Sequence, residues 1–101
     1  MLEAADAVAT FISGRDRAAL DQDLMLLFAL VRAVEIVGEA ATKISAETRK
    51  TAPEVPWRQI TAMRNRLVHA YFDIDREILW KTADEEIPAL RKSIIALISE
   101  P

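Results

Sequence analysis

From Asp21 to Ile44 no proline interrupts the chain, and glycine occurs once, at Gly38. The first half of this stretch, "LMLLFALV", is apolar on every side, and no alternation of polar and β-branched residues runs through it. An uninterrupted segment of this kind fits a helix of roughly 35 Å, started by Asp21 as N-cap. A helix apolar all round must be buried on more than one face. One face can meet the chain's own bundle and the opposite face a second subunit. In the second half a polar stripe emerges, Arg32, Glu35, Glu39 and Lys43, and Gly38 leaves room for a close helix crossing.

This long element sets the fold class, because the rest of the sequence is also helical in period. Leu2, Ala5, Val8, Ala9 and Ile12 recur at helical spacing, and Ser13-Gly14 supplies the stop. Residues 15–20 read as a connector with room for a helical turn, and Ser45 to Ala52 as a short polar turn. Pro53 and Pro56 enforce an extended link, with Pro56 opening a helix from Trp57 to His69 or Tyr71. Asp73 or Asp75 caps a last helix that runs to about Ser99. Its core face is Ile78, Leu79, Ile87, Leu90, Ile94 and Leu97, and Pro88 should kink it near Asp84. Trp57 and Trp80 read as core. The expectation is one all-α domain spanning residues 1–101.

Composition narrows the function. Apolar residues make up 51% of the chain, high for a small monomer and consistent with a dimer seam. There is no cysteine and a single histidine, so a metal could find only carboxylate ligands, and none of these has calcium-loop spacing. No metal or other cofactor is expected. The longest apolar run, Leu24 to Val31, falls far short of the roughly 18 residues that span a bilayer. No leader is expected from an N-terminus carrying Glu3 and Asp6, and a cytoplasmic location fits. A net charge of −3 argues against general nucleic-acid binding. The charge is uneven, however. Residues 49–69 hold Arg49, Lys50, Arg58, Arg64 and Arg66 against Glu54 alone, which suits a focused anion site.

That basic stretch leads into "RNRLVHAYFDID", which carries the only histidine, His69, and the only tyrosine, Tyr71. On a continuous helix Ile60, Met63 and Leu67 form an apolar stripe, and Arg58, Ala62, Asn65 and His69 form a polar one opposite. Arg64 borders the polar stripe and Arg66 points elsewhere. A partner copy would bring two arginines and two histidines into one cleft. Arginine holds phosphate oxygens in its planar fork, and histidine moves protons near neutrality. Together they can cleave RNA without metal, with Asn65 orienting the imidazole or touching the phosphate. Spacing alone supports a structural histidine and a packed or capping tyrosine more readily than catalysis.

The segments "RAVEIVGEAATKIS", "PEVPWRQITAMRNRLVHAYFDID" and "ILW" resemble the HepT-like branch of the HEPN superfamily. The Arg-x4-His-x-Tyr pattern of that family falls on Arg64, His69 and Tyr71, with Asn65 beside the arginine. The resemblance implies an all-α, four- to five-helix up-and-down bundle that forms a homodimer. It implies a metal-independent ribonuclease, with Arg64 and His69 catalytic and Asn65 supporting. It also implies the toxin role in a toxin–antitoxin pair of the type VII kind. The expected antitoxin is an MntA-like minimal nucleotidyltransferase, which silences the toxin by adenylylating Tyr71. Family members usually have a longer first helix ahead of "LEAADAV", so the first helix here is short. The alternative is a non-catalytic helical subunit that binds the nucleotidyltransferase.

Overall fold

The computed structural model describes residues 1–62, 68–70 and 73–99, with side-chain surroundings given outside 63–73 and Ser99. The elements are α1 (Leu2–Ile12), α2 (Ala19–Gln22), α3 (Leu24–Thr42), α4 (Ala46–Lys50) and α5 (Trp57–Thr61). They continue as β1 (Val68–Ala70), β2 (Asp73–Ile74), α6 (Arg76–Lys81), a π-helical segment (Thr82–Glu86) and α7 (Ile87–Ser99). The architecture is the expected helical bundle, in which α3 packs against α1 and α5, and α1 also packs against α7.

The core follows the apolar periodicity. Val8 on α1, Leu30, Val34 and Val37 on α3, Ile60 on α5 and Leu79, Ile87 and Leu90 beyond the hairpin are all buried. Trp57 is buried as anticipated, and Trp80 packs half-buried on the core's edge. The helix ends are set by local chemistry. After α1 the chain turns at Gly14, whose φ of 72° lies in the left-handed region that a Cβ disfavours. Ser45 caps α4 by accepting from the Thr48 N–H (3.1 Å), and Asp75 caps α6 by accepting from the Ile78 N–H (3.0 Å).

Three boundaries differ from the sequence reading. The long helix begins at Leu24 rather than near Asp21, because Asp23 is the cap: its Oδ1 accepts from the Leu26 N–H at 3.1 Å. Asp21 lies instead in the separate turn α2, which Leu20 anchors in the core. Pro56 is the N-cap of α5 rather than its first helical residue. Near Pro88 the expected disturbance takes the form of π-helix over Thr82–Glu86, a segment that includes Asp84. Proline has no N–H to give the carbonyl four residues back and its ring crowds that carbonyl, so a one-residue bulge relieves both problems.

The largest difference concerns the helix drawn from Trp57 to His69 or Tyr71. α5 stops at Thr61, and Val68–Ala70 is extended and paired antiparallel with Asp73–Ile74, in the register Val68↔Ile74 and Ala70↔Asp73. One helical projection therefore cannot carry the polar stripe from Arg58 to His69. Val68 and Ile74 are β-branched types that favour extended backbone, and here that preference prevails over the apolar period.

α3 is not buried all round within one chain. Leu26, Leu27, Leu30, Val34 and Val37 face the core, while Met25, Phe28, Ala29, Arg32 and Ile36 form a stripe on the other side that faces solvent. Met25 is 83% exposed and Phe28 56%, unusual values for large apolar side chains. A groove of about 570 Å³ runs beside this stripe, with Phe11, Ala29 and Ile36 in its walls and Glu3 and Arg32 among its polar lining.

Candidate active site

The candidate residues lie on the segment between α5 and α6. α5 launches it. Trp57 and Ile60 are buried, and the Trp57 Nε1–H donates to the Ala52 carbonyl at 3.0 Å. Arg49 braces the same corner. Its Nε donates to the Ile44 carbonyl (3.1 Å), its Nη2 to the Ala41 carbonyl (2.8 Å), and its guanidinium lies 5.9 Å from the Trp57 ring centroid. The residue thus satisfies carbonyls at the end of α3, where a cation is also favoured by the helix dipole. One of the five cations of the basic stretch is therefore committed to the scaffold. Arg58, on the outer side of α5, is exposed.

Of the sequence candidates, the backbone of His69 is placed at the centre of β1. Its side chain lies outside the described residues, as do Arg64, Asn65 and Tyr71. On the far side of the site, β2 ends at Ile74, which packs half-buried against the core. Immediately beyond, Asp75 starts α6 and Arg76 and Glu77 form ion pairs with the α2 region. Arg17 Nε and Nη2 each lie 2.8 Å from Glu77 Oε1, Arg17 Nη1 donates to Asp21 Oδ2 at 2.8 Å, and Arg76 Nε lies 3.4 Å from Asp21 Oδ1. The last is a charge contact without hydrogen-bond geometry. Hydrogen bonding to Asp21, opposed in part by desolvation, raises the Arg17 pKa further above its already high ordinary value.

These four charged residues are absent from the sequence reading of the site. The Arg17–Asp21 spacing of four residues was a visible helical signal, but nothing local marks Glu77, sixty residues away, as their partner. The Arg15–Asp23 pair, at 3.2 Å, ties the same connector to the start of α3.

The family model described as "Ribonuclease HepT-like" matches residues 1–97, and the chain belongs to that family. It is 48% identical over 64 residues to "Probable ribonuclease HepT" of Thermococcus cleftensis, an alignment covering 63% of this chain and 58% of that protein. A Methanocaldococcus jannaschii protein provisionally named an RNase is 37% identical over 94 residues, covering 93% of this chain and 86% of the relative. A second provisionally named RNase from the same organism is 31% identical over 100 residues, covering 99% and 83%. No solved structure matches the chain significantly. Among the described residues no helix is long and apolar enough to cross a membrane.

Proposed function

We propose that this chain, as a single domain, is a metal-independent endoribonuclease in which Arg64 and His69 perform the chemistry and Asn65 supports them. Membership of the ribonuclease HepT-like family across residues 1–97, with the Arg64, His69 and Tyr71 pattern intact, carries the reading. In this mechanism an imidazole takes the proton of a ribose 2′-hydroxyl, and the freed oxygen attacks the adjacent phosphorus. The bond to the 5′-oxygen breaks, and that oxygen leaves with a proton from a general acid. Arginine neutralises the charge that accumulates on the phosphate oxygens. The products are a 2′,3′-cyclic phosphate and a 5′-hydroxyl.

One chain has one histidine, whereas this reaction uses a base and an acid. A homodimer supplies both, and the solvent-facing Met25, Phe28 and Ile36 stripe of α3 is the surface we assign to its seam. The wider role is the toxin of a pair of the type VII kind, acting in the cytoplasm and held in check by an MntA-like nucleotidyltransferase. Tyr71 is the residue that antitoxin would adenylylate. AMP there would add negative charge and bulk beside the arginine and histidine, repelling RNA phosphate.

The test is incubation of the purified protein with a mixed RNA pool in the presence of EDTA. Cleavage with cyclic-phosphate ends is expected, lost in His69→Ala and in Arg64→Ala while circular dichroism stays native. Undiminished cleavage by either folded variant would refute the assignment. With the nucleotidyltransferase and ATP, intact mass should rise by one AMP in the wild type and stay unchanged in Tyr71→Phe. An equal adduct on the variant would move the modification elsewhere.

A further inference from the structure

The ion-pair chain Glu77–Arg17–Asp21–Arg76 joins two anchored parts of the fold. On one side α2 is pinned by Leu20, 1% exposed; on the other α6 is pinned by Leu79, fully buried, and by its Asp75 cap. Between α6 and the candidate site there is only β2, which ends one residue before Asp75. β2 in turn holds β1, and so the backbone of His69, through the pairing Val68↔Ile74 and Ala70↔Asp73. In the described sheet β1 has no other strand neighbour. On its C-terminal side, its placement relative to the bundle is therefore tied through Ile74 and the charged residues that follow it.

We infer that Arg17 and Glu77 are positioning residues for the reaction: their ion pair, extended through Asp21 to Arg76, fixes where the β1–β2 hairpin holds His69. The inference rests on the ribonuclease reading for its catalytic consequence, but not for its structural one. The network is largely exposed, with Arg17 at 32%, Asp21 at 56% and Glu77 at 78% of their side-chain surface, so its loss should barely affect global stability. Misplacing a proton-transfer group by a fraction of an ångström, by contrast, is costly in rate.

The discriminating variant is Glu77→Gln. A carboxylate repels RNA phosphate, so a rate loss in this variant cannot come from a lost phosphate contact. In steady-state cleavage of a short RNA, Glu77→Gln and Arg17→Ala should each lower kcat by about tenfold, leave KM within about twofold and keep a near-native melting temperature. The double variant should be no slower than either alone, because both remove the same bridge. Independently of activity, hydrogen exchange at the backbone amides of Val68–Ala70 and Asp73–Ile74 should accelerate in both variants. Wild-type kcat in Glu77→Gln would overturn the inference. So would a loss in Arg17→Ala alone, which would make Arg17 an RNA ligand instead. If the wild type cleaves no RNA, the ribonuclease reading fails, and the exchange data alone decide whether the bridge positions the hairpin.

Discussion

Replacing Trp57 by phenylalanine should destabilise the bundle through the corner from which the candidate catalytic segment departs. Trp57 is 8% exposed, and its Nε1–H is bonded to the carbonyl of Ala52, itself 2% exposed. Phenylalanine has no donor, so the Ala52 carbonyl keeps only the Val55 N–H at 3.2 Å and loses one of its two hydrogen bonds, at a cost of about 1 kcal/mol. The smaller ring withdraws buried apolar surface and leaves a void, adding about 1 kcal/mol. The Arg49 guanidinium, 5.9 Å from the ring, loses part of its cation–π attraction, roughly 0.5 kcal/mol. The sum is about 2.5 kcal/mol, which for a domain of this length lowers Tm by roughly 10–20 °C. Urea denaturation followed by far-UV circular dichroism measures it, and Arg49→Lys made in both backgrounds tests the coupling. Lysine loses the paired carbonyl contacts in either background, but it should cost less where the indole is already gone. A midpoint corresponding to less than about 1 kcal/mol, or an Arg49→Lys cost identical in the two backgrounds, would refute the view of this corner as one coupled unit.

Gly14→Ala should cost about 1 kcal/mol by chemical denaturation. Among the described residues, chain neighbours aside, no atom lies within 4 Å of the position a Cβ would take, so backbone strain at a φ of 72° is the cause, and Gly14→Asn should recover part of the loss. The Asp23 carboxyl is held below its ordinary 3.8, first by the Leu26 N–H and with a further contribution from Arg15, against a smaller opposing effect of desolvation. A depressed folded pKa means stability that is present above the unfolded value and lost as pH falls through the folded one. Melts from pH 6 down to pH 2 should therefore show wild type above Asp23→Asn at pH 6, with the gap closing below pH 3.8. A gap that stayed constant would refute the charged-cap reading. Phe28→Asp should give a folded monomer by light scattering, since Phe28 is 56% exposed on the stripe opposite the α3 core face; an unchanged dimer would place the seam elsewhere.

Much of the fold was legible because it is encoded over short distances. The limits of α1, the Asp75 cap and the core positions Leu79, Ile87 and Leu90 depend on hydrogen bonds and periodicities spanning a few residues. The candidate residues Arg64, Asn65, His69 and Tyr71 were legible as a pattern of residue types and family likeness, and their roles remain the proposal made above. Other features required the folded chain. Asp21 and Asp23 are equally good caps by type, and Asp23 caps because α2 forms as a separate turn ahead of it. Val68 fits an apolar helical stripe and an extended strand alike, and a strand can form only where Ile74 comes round to pair with it. Arg49 reads as one more cation of a basic stretch until the end of α3 and the Trp57 ring are brought against it. Arg17 and Glu77 share no local signal at all. Sequence by itself determines which helices can form and where their apolar faces lie, because backbone hydrogen bonding and side-chain period are local. Which charges meet across sixty residues is decided only when burial of Leu20 and Leu79 brings α2 and α6 together.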